Sequence, residues 1–268
     1  MEVRERAAPD MAACPAEYLA LANRLADASG VVIRRYFRSA IPVDQKPDHS
    51  PVTVADREAE VAMRELIEAT FPEHGIIGEE MPTRNDGADL TWVLDPIDGT
   101  KSFITGKPVF GTLIALLKGE TPILGIIDQP ITGERWIGAL GHPTTLNGAT
   151  VRVRPCPALA QAALDSTSPH YFEGSDATAF EALRDKAGLV RYGMDCYAYA
   201  VLATGFVDIV VEAGMHLHDF AALVPVIEGA GGVITDWQGR PLGPQGDGRV
   251  LAAGDSRVHE AARRILVP

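Results

Sequence analysis

The residues with the clearest chemical potential lie together in Asp95-Pro96-Ile97-Asp98-Gly99-Thr100. Pro96 fixes one backbone angle and Gly99 permits a tight turn, so a strand that delivers Asp95 can bring Asp98 beside it. The turn leaves the Ile97 carbonyl free. Two carboxylates and a carbonyl are hard oxygen donors, suited to Mg²⁺ or Mn²⁺. Other acidic groups are dispersed: Glu79-Glu80 after Ile76-Ile77-Gly78, Asp56, and Asp219 behind His218. Each has a plain reading by itself. An acidic pair suits a solvated strand end, and Asp56 and Asp219 each suit a helix N-cap. They form a site only if the fold gathers them, which spacing alone does not show. Gathered, Asp95 would bridge two cations about 3.5–4 Å apart, one priming a water and the other stabilising the leaving oxygen. Backbone N–H groups at Gly99 and Thr100 would hold phosphate oxygens. The Thr100 hydroxyl would orient the attacking water with Asp56 as its acceptor.

Other phosphoryl chemistries lack their residues. There is no G-x-x-x-x-G-K-[ST] loop, no Cys-x₅-Arg loop, and two residues rather than one separate Asp95 from Asp98. Metal-assisted attack by water remains.

These side chains need elements to position them. Pro15 to about Phe37 reads as a helix, with Leu19, Leu21, Leu25, Val32 and Ile33 on one face and Pro15 in the first turn. Ile41 to Pro51, with three prolines, reads as irregular. A second helix is expected from Asp56 as N-cap to Thr70. Strands are expected at Trp92–Leu94, Phe110–Leu117, Ile123–Asp128 and Arg135–Leu140, joined by hairpin-length turns into an antiparallel meander. Helices follow near Thr178–Lys186, Tyr197–Thr204 and Phe220–Gly229, the last stopped by Gly231-Gly232. Helices followed by a run of strands predict a layered α+β architecture. The expected organisation is a tail at 1–14, an α+β half at 15–145 with most metal ligands, and a second half at 146–268.

The 268 residues carry 24 Lys and Arg against 36 Asp and Glu, a net charge of −12. That balance opposes a nucleic-acid binder, which needs clustered positive charge. No apolar run approaches the ~18 residues of a membrane span. Three cysteines without close spacing read as reduced thiols, which predicts a cytoplasmic protein.

Trp92-Val-Leu-Asp-Pro-Ile-Asp-Gly-Thr-Lys-Ser-Phe103, with Gly78-Glu79-Glu80 before it and Asp219 ahead of Glu228-Gly-Ala-Gly-Gly232, resembles the inositol monophosphatase superfamily of Mg²⁺-dependent, lithium-sensitive phosphatases. The resemblance spans about Tyr18 to Ile265. It implies a layered αβαβα sandwich, a homodimer, a small phosphate-ester substrate, and two or three Mg²⁺ per site, with Mn²⁺ as a substitute. Lys101-Ser102-Phe103, Asp195-Cys-Tyr-Ala-Tyr199 and Leu223 to Trp237 are most similar to the histidinol-phosphatase branch, which acts on L-histidinol phosphate in histidine biosynthesis.

Carried over by position, the resemblance makes Glu79, Asp95, Asp98 and Asp219 metal ligands, with Ile97 giving its carbonyl. Asp56 and Thr100 become the water-activating pair, with Glu79 beside them. Gly99, Thr100, Asp195, Glu212 and Asp219 become substrate contacts. His218 departs from the pattern, standing where the superfamily has an aromatic, and is expected to pack. Inositol 1-phosphate and 3′-phosphoadenosine nucleotides are the alternative substrates. A non-catalytic binding protein is the reading of a different class, and it would be expected to have lost metal carboxylates that this chain retains.

Overall fold

The computed structural model describes residues 13–46 and 51–267. The chain opens with α1 (Ala16–Tyr36), which buries Leu21, Ala22, Leu25, Ala26, Ser29, Gly30 and Ile33 at three- and four-residue steps. Pro15 is its N-cap rather than a first-turn residue. Cys14, expected at the end of a tail, is buried, and its N–H bonds the Leu140 carbonyl at 2.8 Å. The proline-rich stretch holds a short antiparallel pair, β1 (Val43–Gln45) and β2 (Pro51–Thr53). Next comes α2 (Val54–Thr70), capped by Thr53 and not by Asp56. Asp56 sits at the third helical position, where its carboxylate reaches back to the Thr53 N–H at 2.9 Å.

Among the described residues one sheet has seven strands in sequence order: β3 (Gly75–Gly78), β4 (Leu90–Asp98), β5 (Gly111–Lys118), β6 (Thr121–Gln129), β7 (Glu134–Ala139), β8 (His142–Leu146) and β9 (Ala149–Thr150). The expected meander is present from β4 to β7. β3 adds a parallel edge, aligning Gly78 with Leu94. β4 runs through the acidic motif instead of stopping before it, and a bulge between Asp95 and Asp98 re-aims its end. That bulge feeds a short helix, α3 (Thr100–Ile104).

The rest of the chain builds β10 (Ala163–Ser166), α4 (Ser175–Arg184), β11 (Leu189–Tyr192), α5 (Tyr197–Ala203), β12 (Ile209–Glu212), α6 (Leu217–Phe220), α7 (Leu223–Gly229), β13 (Val233–Thr235), β14 (Val250–Ala253) and α8 (Ser256–Leu266). Its sheet has the order β11-β10-β12-β14-β13. The expected helix at Phe220–Gly229 is two helices. Pro225 has no N–H for the carbonyl four residues back, so the chain breaks at Ala221–Ala222 and restarts with Pro225 in a first turn, where it is tolerated.

The layers stack in αβαβα order. α1 and α2 cover one face of the seven-stranded sheet, α5 and α7 fill the space between the sheets, and α8 covers the outer face of the second sheet with α4 packed beside it. Strands β5 and β6 are buried almost throughout because both their faces are covered. α7 lies directly on the first sheet. A Cβ at Gly125 or Gly138 would collide with the carbonyl oxygens of Ala222 and Pro225 respectively. The middle layer thus meets the sheet backbone to backbone.

Candidate active site

The carboxylates scattered along the sequence meet at the end of β4. Asp95 is 1 % exposed, and its Oδ1 accepts from the Ile97 N–H at 3.0 Å. The parallel register of β3 delivers Glu79 beside it, with the Glu79 N–H bonding the Leu94 carbonyl at 3.1 Å. Asp98 follows the bulge and accepts from the Cys196 N–H at 2.6 Å. Asp219 arrives from α6, where it is the third helical residue and not the expected N-cap; its Oδ2 accepts from the His216 N–H at 2.6 Å. Two sets of ligand atoms lie within 4.8 Å of one another: Glu79 with Asp95 and His218, and Asp95 with Asp98 and Asp219. Asp95 belongs to both. His218, expected to pack, therefore faces the acidic cluster, with Nε2 3.4 Å from Asp219 Oδ1.

Concentrating these carboxylates has an electrostatic cost. Burial, followed by repulsion from Glu79, Asp98 and Asp219, pushes Asp95 well above the usual carboxylate range. Asp98 is raised by burial and by Asp195 and Asp219. Asp219 is raised by burial, and neighbouring His218 opposes the shift. Like charges gathered around a shared aspartate are stabilised by divalent cations, and the donor set fits two of them.

Asp56 is buried under the cluster. Thr53 holds its Oδ2, by N–H at 2.9 Å and hydroxyl at 2.6 Å, leaving Oδ1 toward Thr100. The Thr100 hydroxyl lies a long 3.5 Å from Asp56 Oδ1 and 3.2 Å from the Ile97 carbonyl oxygen. Structure therefore brings the expected pair together, loosely, and turns the Ile97 carbonyl toward the same hydroxyl. Gly99 has φ +90°, and a Cβ there would come within 2.7 Å of Asp195 Oδ2. The position needs glycine for its conformation and for the close approach.

A cavity of about 210 Å³ opens over these groups. Glu79, Asp98, Gly99, Thr100, Asp195, Tyr199, Glu212 and Asp219 are among the residues that line it. Glu212, at the end of β12, accepts from the Thr167 N–H at 2.6 Å. Burial pushes its carboxyl up to about 8. Asp195 Oδ2 accepts from the Ser102 hydroxyl at 2.6 Å, and its backbone is left-handed, φ +47°.

Two participants escaped the sequence reading. Ser102 steadies Asp195, and nothing in the spacing of residues 102 and 195 signals that. The Lys46 ammonium bonds Glu79 at 2.6 Å and Glu80 at 2.6 Å. Burial disfavours that charge, but hydrogen bonds to the two glutamates outweigh it and raise the pKa. Lys46 lies in a stretch without periodicity, so the sequence gives no cue to its partner.

Layered sheets with carboxylates pooled at a strand end around one shared aspartate are the make-up of a metal-dependent phosphatase. The sequence profile of the inositol monophosphatase family matches residues 15–267, and the chain belongs to that family. It is 55 % identical over 258 residues to the bifunctional phosphatase IMPL2, chloroplastic, of Arabidopsis thaliana, covering 93 % of this chain and 75 % of that protein. A histidinol-phosphatase of Chlorobaculum parvum is 37 % identical over 87 % of this chain and 91 % of its own. The solved structure of an inositol monophosphatase from Zymomonas mobilis superposes with a TM-score of 0.87 at 49 % identity, covering 94 % of this chain and 98 % of that one. Among the described residues no helix is long and apolar enough to cross a membrane.

Proposed function

We propose that this phosphatase hydrolyses L-histidinol phosphate to L-histidinol and inorganic phosphate with Mg²⁺. The observation that carries the reading is the pair of further carboxylates, Asp195 and Glu212, that line the same cavity as Glu79, Asp98 and Asp219. Histidinol phosphate presents an ammonium and an imidazole, and charge-assisted hydrogen bonds to a desolvated carboxylate are strong. A buried Glu212 raised to about 8 gains most from a cation, which draws it back to the ionised form. The histidinol-phosphatase relatives support the same substrate.

In this reading Glu79, Asp95, Asp98 and Asp219 hold the cations, with the Ile97 carbonyl as a further donor. Bound cations make water nucleophilic at neutral pH and stabilise the departing oxygen. Thr100 and Asp56 orient that water: Asp56, fixed by Thr53, accepts from the Thr100 hydroxyl, whose own lone pair accepts a hydrogen bond from the attacking water. The N–H groups of Gly99 and Thr100 hold phosphate oxygens. Asp195 and Glu212 seat the alcohol half of the ester. The working unit is a homodimer, which light scattering would report as twice the 28.6 kDa chain.

Turnover of histidinol phosphate and inositol 1-phosphate, measured side by side with Mg²⁺, tests the assignment. The expected result is at least a tenfold advantage for histidinol phosphate in kcat/KM, with suppression by lithium. The Zymomonas mobilis likeness favours a second reading, an inositol monophosphatase. A clear advantage for inositol 1-phosphate would establish that reading instead.

A further inference from the structure

Asp219 is preceded by two histidines with different surroundings. His216 begins α6 and gives its backbone N–H to Asp219. Its ring stacks on that of His218 with centroids 5.5 Å apart. The His218 ring is the inner one. One of its nitrogens, a Glu79 oxygen and an Asp95 oxygen all lie within 4.8 Å of one another. Donor atoms bound to one cation at about 2.0–2.2 Å can be no farther apart than roughly 4.4 Å, so a small side-chain adjustment closes this set on an ion.

We propose that His218 is a nitrogen ligand, together with Glu79 and Asp95, of one of the cations held by this site, and that it shifts that position from Mg²⁺ toward first-row transition cations. The proposal rests on reading the acidic cluster as the phosphatase metal centre. Mg²⁺ favours all-oxygen surroundings and releases water reluctantly, whereas imidazole nitrogen suits the transition series. The other group of ligands, Asp95 with Asp98 and Asp219, contains only oxygens. One site thus combines two positions of different hardness that share Asp95. The ring is held for this role. His216 stacks on one side, and the His218 Nε2 lies 3.4 Å from Asp219 Oδ1. An aromatic hydrocarbon at this place would offer no lone pair.

The test uses the full chain stripped of metal, loaded with Mn²⁺ alone, and read by pulsed electron paramagnetic resonance with ¹⁵N-histidine labelling. The expected signal is a directly bound histidine nitrogen, lost in His218→Phe. Calorimetry on both proteins should show the Mn²⁺-to-Mg²⁺ affinity ratio falling about tenfold or more in the variant, the scale on which even outer partners of a metal act. The wild-type spectrum needs no variant, so a misfolded His218→Phe leaves that measurement standing. Mn²⁺ bound without nitrogen coupling overturns the proposal and leaves the phosphatase centre intact. Coupling that persists in a folded His218→Phe overturns it by assigning the nitrogen to another histidine. A wild-type chain that binds neither cation overturns both this proposal and the reading beneath it.

Discussion

Two groups of carboxylates at the site are held by different means. In the first, Asp95 and Asp98 are placed by a strand bulge, and Glu79 by the parallel register of the neighbouring strand. Their positions follow from main-chain geometry in a sheet covered on both faces. In the second, Asp195 has a left-handed backbone in the loop before α5, a conformation that costs a non-glycine residue about 1 kcal/mol. A single hydrogen bond from Ser102 steadies its carboxylate. Glu212 is aimed by Thr167, whose N–H donates to it, and by the Ser166 hydroxyl at 3.4 Å. Asp95, Asp98 and Glu79 are carried to their places by strand geometry, while Asp195 and Glu212 depend on individual hydrogen bonds from Ser102 and Thr167. If Asp195 and Glu212 seat the substrate, substitution there would change preference while the acidic cluster stays in place.

Substitutions in each group sharpen or break that contrast. Asp98→Asn keeps an acceptor for the Cys196 N–H but removes a ligand charge. It should lower kcat at least about 10³-fold, with the circular dichroism spectrum unchanged. A fully active Asp98→Asn protein would erase the distinction between the two groups. Gly99→Ala tests their contact, because the new methyl meets the Asp195 carboxylate and the backbone is left-handed. The expected loss is about 10² in kcat/KM for every ester, the scale of an ångström-sized misplacement. Asp195→Asn should raise KM for histidinol phosphate about tenfold, the loss of one charge-assisted bond, and alter KM for inositol 1-phosphate much less. Equal effects on both esters would show that Asp195 serves the loop rather than the substrate.

The smallest effect concerns stability in metal-free protein. The Glu212 carboxyl moves from its usual 4.5 up to about 8 on folding. Between those values the native state holds a proton that the unfolded chain has released, so stability falls as pH rises through this window. Glu212→Gln keeps an acceptor for Thr167 and has no charge to desolvate. Its melting temperature should match wild type below pH 4.5 and exceed it by a few degrees at pH 8. A constant difference across that range would contradict the buried-proton account.

Local chemistry explains how much of the site was legible before folding. Asp95 to Thr100 could be interpreted directly because the turn, the donors and their spacing fall within six residues. The amphipathic faces of α1 and α2 and the meander were legible from periodicity. Other features depended on partners distant in the chain. Asp56 has the composition of an N-cap, yet Thr53 outcompetes it and turns it toward Thr100. His218 resembled packing because Glu79 and Asp95 reach it only through the fold. The continuous apolar run at 220–229 concealed the break that Pro225 imposes.

The seating of α7 on Gly125 and Gly138 extends the functional footprint far beyond the cavity. Adding one carbon to either glycine must lift the segment that follows Asp219, since a main-chain carbonyl cannot rotate aside as a side chain can. Such alleles would read as mild changes in a β-strand interior. They would nevertheless behave as nulls, with every reactive group still encoded and none in register.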